Sequence, residues 1–346
     1  MGRTDIARSL SDISLRFANT ERKGYSRKIK YKKFKYYNTR GKLIEDEQTI
    51  KRINKLVIPP GLKNVWINPS AREHIQAIAE DDKGRKQYFY HPEYITYREE
   101  SKFEHLLNFS LVLKKIRKAI TDDLNELNLT KNCILALIVK IMDISKSRIG
   151  NDKYAKDNET YGLTTLRKKH LETEEDSIEL KFKGKRSKKW FINIEDDEIV
   201  ELVSRLEDIP GYRIFKYKNS TGEFETIHSE DVNEYLKEIS GDESISSKDF
   251  RTWSATVLAI KELKKNYEKY SEASVKKDLV KAVKNVAKSL NNTPQVCKRS
   301  YIHPHVLECY EKGNFFKIFT KDFKTSSKYY SADELQAIKF LEEIYH

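Results

Sequence analysis

The side chains able to do chemistry in this 346-residue chain are 20 Tyr, eight His, three Cys and 66 Lys plus Arg. The His residues form no HExxH pair or comparable cluster. Cys133, Cys297 and Cys309 have the spacing of neither a disulfide framework nor a metal-ligand set, so no metal and no cofactor is expected. What remains is the chemistry of oxygen nucleophiles among fixed cations. A Tyr phenol can attack a phosphate and leave a stable phosphodiester. An Arg fork can bond two phosphate oxygens at once, and a Lys on its flexible stem can hand a proton to a departing alkoxide. The charge balance agrees with an anionic partner: 66 Lys plus Arg against 53 Asp plus Glu gives +13, which selects nucleic acid or an anionic membrane. These residue types do not locate a site, because the combinations run to hundreds.

Four blocks narrow the choice: SRIGNDKYAKDNETYGLTTLRKKHLE, KFKGKRSKKW, SKDFRTWSATV and NNTPQVCKRSYIHPHVLECY, in that order. They resemble the poxvirus and bacterial type IB DNA topoisomerases. Two earlier segments, IPPGLKNVWINP and GRKQYFYHPEY, resemble the N-terminal domain of the bacterial members. The resemblance runs from about Lys51 to Tyr310. It implies a catalytic set carried over position by position. Arg148 stands in Arg-Ile-Gly-Asn, Lys185 follows Gly184, Arg251 lies three residues after Lys248, Asn292 precedes Thr293-Pro294, and Tyr301 follows Lys298-Arg299-Ser300. On that likeness Tyr301 is the nucleophile, Lys185 the general acid, and Arg148, Arg251 and Asn292 stabilise charge on the phosphate. Poxvirus members have His where this chain has Asn292, which points to the bacterial branch. Asn can still donate a hydrogen bond, but it cannot carry a positive charge.

Each of these residues also has an ordinary reading. Arg148, with Lys153 and Tyr154 after it, is otherwise part of a solvated loop, and Lys185 a surface turn residue. Arg251 is otherwise half of a surface ion pair, Asn292 a turn cap before Pro294, and Tyr301 core packing. Arg85, Lys86, Tyr88 and Tyr90 make a basic patch with interleaved aromatics, suited to DNA contact or to plain β packing. Lys153, Tyr154 and Lys248 are further candidates for DNA contact. His303 and His305 read as packing or loop residues, and Cys297 as a small hydrophobe. Two other functions compete. A tyrosine recombinase shares the constellation but typically shows H-x-x-R where this chain has Lys248-x-x-Arg251. A non-catalytic basic DNA-binding protein would not need competent residues at all five positions.

The elements that must hold these residues follow from periodicity. The expected class is α+β: a β-rich N-terminal domain, 1–96, and a mainly helical catalytic domain, 97–346, with a β hairpin inside it, the two forming a clamp around duplex DNA. Val65–Ile67 reads as a strand, and Asp81–Gly84 as a turn between two extended segments. The polar stretch Ile95–Ser101 marks the boundary. Leu106, Phe109, Leu113, Ile116 and Ile120 fall on one helical face, and Asn132–Met142 reads as a buried helix. Ile178, Leu180 and Phe182 alternate, as do Trp190, Ile192 and Ile194, with Lys183–Lys189 as the turn between them. Phe250–Leu263 and Ser274–Leu290 read as helices, and Ser331 with Glu334 as the capping box of a last one. The opening MGRTDIARSL has no apolar run. The longest apolar patch, Cys133–Met142, is broken by Lys140 and too short to cross a bilayer. The expectation is a soluble, cytoplasmic, nucleoid-associated bacterial monomer with reduced thiols, partnered by duplex DNA and no membrane.

Overall fold

The computed structural model describes residues 10, 13–30, 33–126, 128–319 and 327–345. The opening segment discussed above lies outside these residues except for Leu10. The chain divides into two compact units between Lys102 and Phe103.

The first unit is built on a five-stranded antiparallel sheet: β1 (Tyr25–Lys30), β2 (Lys33–Tyr37), β3 (Lys63–Ile67), β4 (Ile75–Glu80) and β5 (Lys86–Tyr90), in the spatial order β2-β1-β3-β4-β5. Alternation puts Val65, Ile67, Ala77 and Ala79 on one buried face, where they meet Ile53 of helix α1 (Glu47–Lys55). Asp46 caps that helix by accepting from the Thr49 amide at 2.8 Å. The expected turn closes β4 onto β5. Gly84, at φ +71°, donates its amide to the Asp81 carbonyl, and the Asp81 carboxylate holds Arg85 at 2.7 Å.

The second unit is mainly helical. Helix α2 runs from Pro92 to Leu124 and crosses the division at Lys102 and Phe103, so the boundary expected at Ile95–Ser101 falls inside a continuous helix, just before that division. Glu, Arg and Lys are good helix formers, and an exposed helical face tolerates them without breaking. Leu106, Phe109, Leu113, Ile116 and Ile120 are buried on the face their spacing marks. Helix α3 (Lys131–Ser145) is buried from Cys133 to Val139. After helix α4 (Asp152–Asn158) come three antiparallel strands, β6 (Leu171–Thr173), β7 (Ile178–Lys183) and β8 (Lys189–Ile194). Phe182 and Trp190 face each other across β7 and β8 with ring centroids 6.1 Å apart, which anchors the hairpin under its tip. Helix α5 (Asp197–Glu207), the short pair β9 (Lys216–Lys218) and β10 (Phe224–Thr226), and helix α6 (Ser229–Ser240) follow. The chain closes with α7 (Ser247–Lys264), α8 (Val275–Ser289), α9 (Pro294–Ser300), α10 (Pro304–Glu311), α11 (Phe315–Ile318) and α12 (Ala332–Tyr345). The Ser331–Glu334 box is formed reciprocally: the Ser331 amide donates to Glu334 at 2.8 Å and the Glu334 amide to Ser331 Oγ at 3.3 Å. One apolar core joins α2, α3, the three-stranded sheet and the later helices. Among the described residues no helix is long and apolar enough to cross a membrane. The sheet β6–β8 is larger than the expected hairpin by one strand, and the pair β9–β10 and helices α1, α4, α5, α6, α9, α10 and α11 were not anticipated.

Candidate active site

Arg148 lies just past the end of α3, where Lys146 turns left-handed (φ +58°) and stops the helix. Its loop is fastened by backbone bonds: Leu163 donates to the Arg148 carbonyl at 3.0 Å and Thr164 to the Ile149 carbonyl at 2.8 Å. Two glycines permit this approach. Gly150 has φ +104°, and a Cβ on Gly162 would lie 2.5 Å from Gly150 Cα and 2.6 Å from the Arg148 carbonyl oxygen. The Tyr161 amide in turn donates to the Lys183 carbonyl at 2.7 Å, so the Arg148 loop and the β7–β8 hairpin are tied together.

Lys185 stands at that hairpin's tip. Gly184 before it packs on Trp190, where any Cβ would come within 2.6 Å of the indole. Arg186 and Ser187 are both left-handed, at φ +60° and +59°. Lys185 is exposed as a residue, yet nearby protein displaces enough hydration from its ammonium group to lower its pKa, and Arg148 lowers it further. The Tyr301 phenol, Arg186 and Lys248 complete its electrostatic surroundings.

Arg251 is 3% exposed, on α7, and is no surface ion pair. One terminal nitrogen donates to the Lys146 carbonyl and the other to the Leu290 carbonyl at 2.9 Å. It therefore binds the segment entering Arg148 to the segment leading to Asn292. Its guanidinium carbon lies 5.2 Å from the centre of the Tyr301 ring. Burial, then repulsion from Arg148, pull Arg251 down to about 10, which still leaves it protonated at neutral pH.

Tyr301 closes the short helix α9, with its amide bonded to the Cys297 carbonyl at 3.0 Å. Burial by itself would raise the phenol pKa. The charges of Arg251 and then Arg148 outweigh burial and hold it below the ordinary value. Asn292 uses its side-chain oxygen to accept from the Thr293 amide at 3.0 Å, as a turn cap would. Its Nδ2 is nonetheless buried without a partner, as is Arg251 Nε. Such orphaned donors cost roughly 1–3 kcal/mol each, and an incoming phosphate oxygen is the kind of acceptor they lack.

The fold thus brings Arg148, Lys185, Arg251 and Tyr301 within electrostatic reach of one another, with Lys248, exposed in the first turn of α7, beside them. Lys153 and Tyr154 are exposed on α4, whose first residue Asp152 is held by Arg213 and, at 2.6 Å, by His228. A pocket of about 640 Å³ lies against Asp152, Arg167, Tyr212, Arg213 and His228, but none of the five catalytic candidates lines it. In the first unit Lys86 and Tyr88 are exposed on β5. Tyr90 stacks on Tyr88 at 6.2 Å but also packs on Tyr94 at 5.5 Å, so it serves the sheet's packing as well. His303 is buried packing, as read, but the sequence reading did not single out Thr256, which bonds to the backbone at Tyr301 and His303, or Tyr345, which bonds to the His303 ring. No spacing rule marks a hydrogen bond between Tyr345 and a residue as distant as His303.

Comparison with known proteins adds to this geometry. Residues 91–330 match the family described as eukaryotic DNA topoisomerase I, catalytic core, and residues 33–81 match the bacterial DNA topoisomerase IB N-terminal domain. The chain is similar to DNA topoisomerase 1B of Acanthamoeba polyphaga mimivirus, 33% identical over 297 residues covering 84% of this chain and 88% of that protein. It is 26% identical to DNA topoisomerase 1B of vaccinia virus (strain Copenhagen), over 80% of this chain and 87% of the viral one. A DNA topoisomerase 1 of Mycosarcoma maydis is 24% identical over 58% of this chain and 22% of its own length. These relatives are viral and fungal, so the bacterial assignment drawn from Asn292 is corrected: the bacterial likeness rests on the N-terminal match at 33–81. A single His-to-Asn exchange is a small chemical step and a poor marker of lineage. The extent of the catalytic-core match and of the mimivirus similarity places this chain in the type IB DNA topoisomerase family.

Proposed function

We propose that this protein relaxes supercoiled duplex DNA by cutting and resealing one strand through Tyr301. The observation that carries the reading is the placement of buried Arg251, whose guanidinium carbon stands 5.2 Å from the centre of the Tyr301 ring; with Arg148 it favours the phenolate against the opposing effect of burial. Oη of Tyr301 bonds to the scissile phosphorus as the P–O5′ bond breaks, and the phenol proton passes to solvent. Arg148, Arg251 and the Asn292 amide stabilise the charge that develops on the non-bridging oxygens. Lys185, at the end of a hairpin that can settle on the strand, gives its proton to the departing 5′ oxygen. The products are a 3′-phosphotyrosyl bond and a free 5′-hydroxyl. Torque turns the free end, and the hydroxyl then attacks back. The diester linkage is conserved throughout, so resealing needs no nucleotide, and torque of either hand drives rotation downhill.

The partner is duplex DNA, gripped by both units of a single chain. Arg85, Lys86 and Tyr88 contribute from the first unit, and Lys153, Tyr154 and Lys248 from the second. The +13 charge supports this grip.

The test is relaxation of supercoiled plasmid in EDTA without nucleotide, followed by denaturing detection of a protein–DNA adduct. Stepwise changes in linking number and an adduct lost in Tyr301→Phe are expected, with duplex binding retained by that variant. An adduct still formed by Tyr301→Phe would overturn the assignment, and rearranged two-site DNA would indicate recombination instead.

A further inference from the structure

Two residues beyond Tyr301 the chain buries a histidine completely. His303 is 0% exposed and every polar group it offers at this point is engaged. Its amide donates to Thr256 Oγ1 at 3.2 Å, and Thr256 Oγ1 also reaches the Tyr301 carbonyl at 3.4 Å. Thr256 is itself fully buried on α7, little more than one turn beyond Arg251. One hydroxyl thus ties the backbone on both sides of Ile302 to the helix that carries Arg251. The His303 ring is held as firmly. Nδ1 accepts the His305 amide at 3.3 Å, which assigns the ring proton to Nε2, and Nε2 meets the Tyr345 hydroxyl at 2.9 Å. The Phe103 ring packs on the imidazole at 5.1 Å and the Tyr345 ring at 5.8 Å. Burial raises the Tyr345 phenol to about 12, so it stays a neutral hydrogen-bonding group through the working range.

At its other end α12 is equally committed. Glu334 accepts from the Trp253 indole at 3.0 Å, two residues from Arg251, and is bonded in bidentate fashion by Arg117 of α2 at 2.8 and 3.0 Å. Arg117 also holds Asp143, near the end of α3 and so near the start of the Arg148 loop, at 2.8 Å. One helix therefore touches the supports of both arginines and of the nucleophile.

We propose that His303 and Tyr345 are positioning residues that fix where the Tyr301 phenol stands, making α12 part of the catalytic apparatus. This rests on the reading of Tyr301 as nucleophile. Neither residue touches DNA or the reacting atoms. They act through the backbone of residues 301–303, so they matter equally to attack by the phenol and to its departure when the strand is resealed.

The test uses the full chain with Tyr345→Phe, His303→Ala and His303→Gln, and with Tyr301→Phe alongside. Adduct formation on a suicide duplex, resealing by an added 5′-hydroxyl strand, duplex affinity and thermal midpoint are measured for each. Tyr345→Phe should slow cleavage and resealing by a similar factor, about tenfold, because small displacements of a reacting group cost that much or more. Duplex affinity should stay within about twofold, since the charges that contact phosphates are untouched. A 5′-bridging sulfur should not restore the rate, because no proton donor has been lost. His303→Gln, with an amide donor at a similar reach, should recover a large part of what His303→Ala loses. Wild-type cleavage by Tyr345→Phe, with Tyr301→Phe inert, would overturn this inference alone. So would rate losses in the His303 variants that merely follow the unfolded fraction at the assay temperature. An adduct formed by Tyr301→Phe would instead remove the reading on which the inference rests.

Discussion

The two cations with the sharpest roles in this site, Arg251 and Lys185, are held in opposite ways. Arg251 is buried on a long helix, and two backbone carbonyls from different segments are bonded to it. Lys185 is exposed on a hairpin tip where two successive residues are left-handed, and no carboxylate fixes its ammonium among the described residues. The difference suits the chemistry proposed for each. Charge that must meet a developing negative phosphate works best when preorganised, since nothing then reorganises during the reaction. A proton donor must reach a leaving oxygen whose position is set by the DNA, and a flexible stem on a short tip allows that approach. Removing Arg251 should therefore damage both fold and chemistry, and removing Lys185 the chemistry alone.

The largest effect separates them most clearly. Lys185→Ala should lower the cleavage rate by about 10² to 10⁴, the usual range for lost acid catalysis, with its unfolding free energy in urea unchanged within about 0.5 kcal/mol. A 5′-bridging sulfur, which leaves without needing a proton, should restore most of that rate. The sign of the pH dependence is fixed too. Lys185 must be protonated to act, and its pKa is depressed, first by burial and then by Arg148, so wild-type cleavage should decline at lower pH than an ordinary Lys would allow. An alkaline limb that persists unchanged with the sulfur substrate would assign the limb to another group.

Arg251→Ala should cost about 10² to 10³ in cleavage, the range for a lost charge-stabilising donor. It should also lose about 2 kcal/mol of stability, because the Lys146 and Leu290 carbonyls lose their partner. The Tyr301 phenol would then lose the strongest influence opposing its burial, so its pKa should rise and the remaining rate should climb further into alkaline pH than in wild type. Chemical denaturation and a pH–rate profile measure the two halves. A variant of full stability would show that the two carbonyls find other donors and that Arg251 is less structural than its contacts imply.

A smaller effect is expected at Asn292, which shares features of both. Its oxygen is used as a turn cap while its orphaned Nδ2 awaits an acceptor. Asn292→Ala should lose about tenfold in cleavage with little change in DNA affinity, the worth of one hydrogen bond to a charged group. Asn292→His should keep substantial activity. Asn292→Asp should be worse than Ala, because it sets like charge against the phosphate. Single-turnover cleavage by the three variants orders them, and Asp exceeding Ala would leave Asn292 as a cap alone.

The smallest effect belongs to the first unit. Lys86→Ala should reduce the dependence of duplex affinity on salt by about one unit of the log–log slope, near 0.9 per phosphate, and leave cleavage of bound DNA unchanged. An unaltered slope in a salt titration would place Lys86 off the phosphate path.

Periodicity marked the buried face of α2 and the alternation of β7 and β8, uniform apolarity marked α3, and residue spacing marked the capping box at Ser331, because each is a local pattern. The candidate site was nameable for a different reason: its residues sit in short blocks whose order resembles a known family, whereas composition alone left the 20 Tyr indistinguishable. Polarity at Ile95–Ser101 marked the neighbourhood of the division at Lys102 and Phe103 but not the helix that runs through it, since a charged stretch reads alike as a boundary or as an exposed helical face. Only the tertiary structure decided that Arg251 is buried, that Gly150 and Gly162 meet back to back, and that His303 is held by Tyr345. These are contacts between segments far apart in the chain. No repeat links such segments, and their pairing exists only once the core has closed around them.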